Sequence, residues 1–495
     1  NDRHRFIERY SVDWRAIAEH PSILVPIAHD SGTLRLGPCF TTSPGRTAMP
    51  RIVMIGAGSV VFAKRLLTDL LSWPALQASE IVLMDIDAGR LELIGALAER
   101  LVVQEHLPAR IITTTDRRAA LDGADYVICS IQVGGLDMYA HDVEIPRRYG
   151  IDQTVGDTLG PGGVFRGLRT VPVFQGIARD MEELCPHALF INYSNPMNLN
   201  MWAWSQSTKV RSIGLCHSVQ GTAERLARFM GVPFAEMSFW CAGINHQAWY
   251  LDLRRGHGGG RGEDLYPLLR EKMDDAAIFD EDRVRFEVMR HFGYFVTEST
   301  HHMSEYVPWF RTTPDLIQAF TTPRWDYYDI CVNRRDPHEE RMARQASGQE
   351  PVETARTNEY CSFIVNAMET NVPYVMNANV PNTWGRSAFR GGGAGSVLIS
   401  NLPPACNVEV PCLVDGAGVH PCAIGDLPEQ LAAINRTNVN VQALAVEGAL
   451  TGDRDMIVRA VQMDPLTGAL LPLSRIREMV GELFTAEARF LPQFS

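Results

Sequence analysis

Two segments of the chain carry the residue types of a metal site. Cys216 and His217 stand side by side in GLCHSVQG, and His246 follows thirty residues after the cysteine in AGINHQAWY. A thiolate paired with a neutral imidazole is a good ligand set for a borderline divalent ion. Two protein donors leave several coordination positions open, which a substrate diol or keto-alcohol could fill, so the pattern is that of a catalytic centre. On spacing alone, a packed cysteine and a hydrogen-bonded histidine have the better claim.

The second chemical signal lies upstream. RIVMI at 51–55 is a short apolar run that breaks at Gly56-Ala57-Gly58-Ser59 and continues as VVFAKRLLTDLL with apolar residues at helical spacing. The order strand, glycine turn, helix lets the backbone approach a pyrophosphate, whose charge rests against free N–H groups at the helix start. The next strand, EIVLMD at 80–85, ends in Asp85, which can accept hydrogen bonds from both ribose hydroxyls and would repel a 2′-phosphate, favouring NAD over NADP. The fingerprint is incomplete, because Val61 replaces the third glycine and Asp85 lies beyond the usual spacing of about 20 residues. A glycine turn in an unliganded α/β unit is the plainer alternative. A third strand is expected at 126–132 (YVICSIQ), closing on Gly134-Gly135 in a loop beneath the cofactor and placing Gln132 beside it.

These residues need elements to position them. From about 121 to 215 strand and helix signals alternate, as in a parallel sheet with crossover helices. Ligands bind outside the carboxyl ends of such strands, where the sequence puts Gln132, the segment 192–198 and Cys216-His217. Beyond about 220 the pattern turns to helical segments such as TAERLARFM and EDRVRFEVMRHF, with a final helical run over 429–450 and 453–462, read as a mixed domain covering the crevice. The expected division is an N-terminal extension of unreadable role (1–48), a Rossmann-like NAD domain (49–215) and an α+β substrate and metal domain (216–495). The glycine run RGGGAG at 390–395 lacks a following GK[ST] and reads as an inserted loop.

Composition sets outer bounds. The chain has 495 residues, 45% hydrophobic and 21% charged, and a formal charge of −12, which argues against nucleic acid or an anionic membrane as partner. Ten cysteines without CxxC spacing predict a reduced, cytoplasmic protein. No stretch approaches the roughly 18 apolar residues of a membrane helix, and the first residues hold no apolar signal core.

The motifs taken together resemble glycoside hydrolase family 4. GAGS, VGDTLGPGGVFRGLRTVP (155–172), INYSNPMN (191–198), GLCHSVQG (214–221), GINHQAWY (243–250), HFGYFVTEST (291–300), EYVPWF (305–310) and NLPPACNVEVPCLVD (401–415) all carry the likeness, over roughly 50–440. CHSV at 216–219 is similar to the α-galactosidase branch, whereas phospho-glycosidase branches carry an Asn after the Cys. The resemblance implies a lactate/malate dehydrogenase-like architecture, a homodimer or homotetramer, and a small α-glycoside as substrate. It also implies catalytic NAD with a divalent metal, usually Mn²⁺, and a reaction outside two-carboxylate hydrolysis: oxidation at C3, deprotonation at C2, elimination, addition of water and return of the hydride.

Residue by residue, the resemblance implies Cys216 and His246 as metal ligands, Asn195 as a substrate-binding residue and His217 as the acid. Asp157 in VGDT is either a sugar-hydroxyl ligand or a turn cap. For the base, the resemblance points to Tyr306, with Tyr294 in reserve, because some relatives use an Asp at the position where this chain has Thr300. α-Glucosidase or α-uronidase activity of the same family, an NAD-dependent hydroxyacid dehydrogenase and a non-catalytic NAD sensor are the competing readings.

Overall fold

The computed structural model describes residues 49–59, 62–256, 262–384 and 396–494. The N-terminal extension, Val61 and the 390–395 glycine run therefore lie outside the described residues. The chain from Pro50 to Ser495 forms one compact unit.

Six parallel strands build the first half of its sheet: β1 (Arg51–Ile55), β2 (Glu80–Met84), β3 (Arg110–Thr114), β4 (Tyr126–Cys129), β5 (Leu189–Asn192) and β6 (Ser212–Gly214). Their order, β3-β2-β1-β4-β5-β6, is that of a dinucleotide-binding α/β sheet. Strands β1, β2, β4 and β5 read as near-continuous apolar runs because both faces are covered. Alternate residues go to opposite sides. Ile52, Met54, Ile81 and Leu83 join Leu66, Leu70 and Ile94 in one core, and Val53, Ile55, Val82 and Val127 join Phe174, Ile177 and Met181 in the other.

The third strand in chain order is RIITT at 110–114, and YVIC is the fourth, ending at Cys129 rather than Gln132. The edge position of β3 explains why its pattern was not legible: its residues are exposed or half-buried, so Arg and Thr suffice there. The region after 220 is mixed α+β, the class expected of it. It contributes helices, but also β7 (Met237–Ile244), β8 (Gln247–Arg255), β9 (Glu263–Asp264), β10 (Tyr374–Pro381), β13 (Asn407–Asp415) and β14 (Gly418–Pro421), while β11 (Thr383–Trp384) and β12 (Ser396–Val397) form a separate ribbon. The same sheet continues through these strands as β6-β10-β13-β7-β8-β9, with antiparallel pairing from β6 onward.

Register fixes what comes together. Ile55 pairs with Met84 and Cys129, Cys129 with Asn192, and Asn192 with Gly214. The row continues as Gly214 with Asn379, Asn379 with Glu409, and Glu409 with Gly243. The segments leaving this row at Gly56, Asp85, Ser130, Tyr193 and Leu215 therefore leave along one edge, the carboxyl edge of the parallel half, while β7 crosses the same row in the opposite direction at Gly243, just before its turn into β8.

The platform under this edge is locked by a buried charge cluster. Arg169, in the helix Gly160–Leu184, makes a bidentate pair with Asp142 (2.8 and 2.7 Å) and also contacts Glu487. All three side chains are fully buried. One guanidinium cannot neutralise two carboxylates, and burial together with the Asp142 charge pushes Glu487 up to about 9. Since a free glutamate titrates near 4.3, the wild-type fold loses stability from this group as pH rises from about 4 through 9. The Tm of Glu487→Gln, measured by calorimetry, is expected to gain on wild type steadily between pH 5 and 8. Asp142→Asn removes the charge that raises Glu487 and leaves that carboxylate to pair with Arg169, so the pH dependence of Tm over this range is expected to shrink in that variant. A pH-independent Tm difference for Glu487→Gln would contradict this assignment.

Candidate functional site

The glycine turn has the form a dinucleotide needs. Gly56 sits at φ +82°, and a Cβ there would lie 2.4 Å from the carbonyl oxygen of Ser130. Gly58 donates its N–H to Asp85 Oδ2 at 2.8 Å, and a Cβ on it would meet the same carboxylate at 2.8 Å. Asp85 Oδ1 accepts from the Asp87 N–H at 2.9 Å, so the half-buried carboxylate is oriented by two backbone donors with lone pairs to spare for ribose hydroxyls. Ser59 is half-buried after the turn and accepts at Oγ from Phe62 N. Gln132 is exposed, and its amide donates to Gly135 O at 3.0 Å, bracing the turn at which Gly134 and Gly135 take φ of +84° and +61°.

The glycine turn and the histidine of the Cys-His pair meet through the next helix. Phe62, the first residue of the helix Phe62–Leu71, has its ring 6.0 Å from that of His217 and 5.6 Å from that of Tyr193. His217 Nε2 lies 2.5 Å from Glu359 Oε1, which also receives Arg65 Nη1 at 3.2 Å. Burial opposes the imidazolium, but Glu359 raises the His217 pKa above its ordinary value. Glu359 is itself buried and held ionised against that burial by His217 and Arg65. Sequence reading missed Glu359, 142 residues from its partner in an unremarkable polar stretch.

Cys216 and His246 are brought together. Cys216 leaves the end of β6, and Asn245-His246 forms the two-residue turn between β7 and β8, where Ile244 pairs with Gln247. His246 takes φ +64°, a left-handed conformation costing a non-glycine residue about 1–2 kcal/mol. The turn is held by a buried amide network, with Asn435 Nδ2 donating to Gln247 O at 2.7 Å and Asn438 Nδ2 to Gln247 Oε1 at 3.0 Å. Cys216 Sγ stands 3.2 Å from His246 Nε2. Burial alone would raise the thiol, but the imidazole draws it down to about 6, and the thiolate in turn lifts His246 to about 10 against its burial. These mutual influences favour thiolate and imidazolium over thiol and imidazole. A divalent cation replacing the imidazolium proton would find a soft anion and a ring nitrogen already facing one another, so the donor set fits a metal. Among the described residues no group of three or more His, Cys, Asp or Glu is arranged to hold an ion. The pair would therefore be an open site.

Behind the pair lie residues that sequence reading did not single out. His246 Nδ1 is 2.9 Å from His302 Nε2, and His302 Nδ1 is 3.4 Å from Glu305 Oε2. Glu305 is fully buried and accepts from the N–H groups of Thr154, Val155 and Gly156 at 2.5, 2.8 and 3.1 Å. Burial opposes its charge, but His302, Arg311 and these donors hold it down to about 2. Glu298, at φ +82°, is kept ionised against burial by His246 and His302.

Tyr306 is fully buried, with its hydroxyl 3.3 Å from His302 Nε2. Its environment works against the phenolate: burial, then Asp157, Glu298 and Glu305, push its pKa well above 10. A positive charge placed nearby would act in the opposite direction. Thr300 is occupied elsewhere, donating to Asp282 Oδ1 at 2.7 Å. Tyr294 packs on Tyr266 in a surface recess shared with Asp252, Arg254 and Arg270, apart from the Cys–His pair. Asp157 is buried; Oδ1 accepts from the Thr158 hydroxyl at 2.7 Å, and Oδ2 lies 3.7 Å from Arg166. Asn195 is half-buried at the turn after β5, braced by Asn192 and Asn200 through Ser194 O at 3.0 and 3.1 Å. Nearby Asn198 is buried with both amide atoms unpartnered, as expected of a site that takes a polar ligand.

Among the described residues no helix is long and apolar enough to cross a membrane, and all nine described cysteines are free thiols. Comparison with known proteins adds the following. The chain is 41% identical over 450 residues to an α-galactosidase of Bacillus subtilis (strain 168), covering 90% of this chain and 100% of that one. It is 39% identical over 458 residues to an α-galactosidase of Rhizobium meliloti (strain 1021), covering 90% of each. Its fold is similar, with a TM-score of 0.74 at 19% identity, to the crystal structure of a 6-phospho-α-glucosidase from gut microorganisms in complex with NAD and Mn²⁺, covering 90% of this chain and 100% of that one. Residues 51–232 match the family 4 glycosyl hydrolases and residues 241–467 match the C-terminal domain of the same family; with this sheet and this crevice, the chain belongs to glycosyl hydrolase family 4.

Proposed function

We propose that the protein is an α-galactosidase that uses NAD⁺ and a divalent cation, Mn²⁺ by preference, as catalytic cofactors. The observation that carries this reading is the 3.2 Å approach of His246 to Cys216, which follows β6 on the edge where the Gly56 turn and Asp85 follow β1 and β2. The galactoside assignment rests on the 41% and 39% identical relatives that bear that name.

When bound, the two cofactors supply reversible oxidation at C3 of the sugar and charge stabilisation at its C2 and C3 oxygens. Cys216 and His246 would hold the metal. Gly56, Gly58 and Ser59 would receive the pyrophosphate, Asp85 the ribose, and Gln132 would border the nicotinamide end. Asn195 and Asp157 would bind sugar hydroxyls, with Asp157 oriented by Thr158 and Arg166. His217, whose protonated form Glu359 favours, would give its proton to the departing glycosidic oxygen. Tyr306 would take the C2 proton, its burial offset where positive charge is held at Cys216 and His246. An elimination of this kind needs no carboxylate pair across the glycosidic bond.

Three outcomes are expected. Hydrolysis of 4-nitrophenyl α-galactoside, compared with the α-glucoside and the α-galacturonide, should be fastest for the galactoside and should require NAD⁺, Mn²⁺ and a thiol reductant together. Full activity after exhaustive chelation and cofactor stripping would defeat the reading.

The thiolate character of Cys216 makes it the preferred site of alkylation by iodoacetamide in metal-free protein, with Mn²⁺ protecting it. Peptide mapping by mass spectrometry should show this, and Cys216→Ser should lose nearly all turnover with an unchanged Tm. Equal labelling with and without Mn²⁺ would remove Cys216 from the ligand set.

Turnover in D₂O should leave deuterium at C2 of released galactose, seen by proton NMR, because the abstracted proton exchanges before return. Tyr306→Phe should slow both exchange and hydrolysis by about a hundredfold or more. An unlabelled C2 would rule out elimination, whereas labelled product from an unimpaired Tyr306→Phe would remove only Tyr306 from the base role.

A further inference from the structure

A metal bound to an imidazole through Nε2 requires that nitrogen to be bare and the proton to sit on Nδ1. Which tautomer a histidine adopts is set by what its other nitrogen meets. In most such sites the partner is a carboxylate or a backbone carbonyl, either of which accepts a proton whatever its own state. Here the partner of His246 Nδ1 is a second ring nitrogen, His302 Nε2 at 2.9 Å. A neutral imidazole presents one donor and one acceptor, so this contact works only if His302 is itself held in a defined tautomer.

Glu305 stands where it can do that. Its Oε2 lies 3.4 Å from His302 Nδ1, and both side chains are buried. Four donors from the Thr154–Gly156 strip fix the carboxylate in place: the N–H groups of Thr154, Val155 and Gly156 and the Thr154 hydroxyl, the last at 2.9 Å. No hydrogen bond joins Glu305 to His302, and among the described residues His302 Nδ1 has no other partner, but the negative charge at this distance favours hydrogen on Nδ1 over a bare nitrogen there and so leaves Nε2 bare. Tyr306 hydroxyl, 3.3 Å from the same Nε2, is the longer and weaker competitor for that lone pair.

We propose that His302 and Glu305 are positioning residues, which hold His246 in the tautomer with hydrogen on Nδ1 and so aim its bare Nε2 at the position facing Cys216 Sγ. The proposal deepens the reading given above and rests on Cys216 and His246 being the metal ligands. It has a structural corollary. The carboxylate that sets the ligand's tautomer is the one that gathers the backbone just before Asp157, so the metal ligand and the Asp157 loop are referred to one buried group.

The test is Mn²⁺ affinity of the full chain with NAD⁺ present, read from the electron paramagnetic resonance signal of the free ion, beside NAD⁺ affinity and Tm. His302→Phe keeps a ring but offers no acceptor, and is expected to weaken Mn²⁺ binding about 10- to 100-fold, the range found when such outer partners are removed. NAD⁺ affinity should be unchanged. His302→Gln, whose amide oxygen can accept the Nδ1 proton, should recover affinity to within about threefold of wild type. Wild-type affinity in His302→Phe, with affinity lost in Cys216→Ser, would overturn the proposal and leave the ligand assignment standing. Wild-type affinity in Cys216→Ser would overturn both.

A readout on the unaltered protein covers the case in which His302→Phe does not fold. With ¹⁵N-labelled histidine and diamagnetic Zn²⁺ in place of Mn²⁺, His302 should show a protonated Nδ1 and a bare Nε2. A proton on Nε2 of His302 would refute the proposal.

Discussion

Everything in the site depends on the pairing of β10 with β6, where Asn379 stands opposite Gly214. Up to β6 the sheet is a parallel, dinucleotide-type array whose carboxyl ends form a crevice. If β6 were an edge, Cys216 would emerge beside open solvent. Because β10 and β13 continue the sheet, the row is extended as far as Gly243, and the turn that follows it brings His246 to 3.2 Å from Cys216. A register slip of one residue anywhere along this row would send alternate side chains to the wrong face and move the exits of the strands apart.

The electrostatics of the site follow from where its charges are buried. Thiolate and imidazolium neutralise one another, Glu305 is held ionised by His302, Arg311 and the donors from 154–156, and Glu359 by His217 and Arg65. Tyr306 is the exception, a neutral phenol ringed by acidic groups that resist its ionisation. In this environment the phenol stays neutral unless positive charge is brought close to it.

The parts of this arrangement legible in the sequence were those carried by local pattern. The RIVMI strand, the Gly56–Gly58 turn and the acidic end of β2 lie within a few residues of one another and obey short-range rules, and they stand where that pattern put them. Cys216 and His246 stood out as residue types, but their contact could not be read from spacing, since two strands from beyond residue 370 come between β6 and β7. Strand β10 itself, YVMNANVP, hid behind two asparagines; Asn377 and Asn379 are tolerated in a buried strand because their amides donate to Cys241 O and Gly214 O. His302, Glu305 and Glu359 act through partners 56 to 151 residues away, and no periodicity announces such contacts.

The insertion of β10 and β13 between β6 and β7 also governs how the molecule comes into being. During synthesis the dinucleotide half can collapse early, because its strands and crossover helices are neighbours in sequence. The Cys–His pair cannot form then, although its members are only thirty residues apart. It must wait for a strand 165 residues downstream of β6 to be made and to enter the sheet. Loop closure on that scale is the slow part of folding a chain like this one. The nascent protein thus acquires its nucleotide crevice first and its paired thiolate and imidazole last, so that Cys216 passes through folding without the partner that makes it nucleophilic.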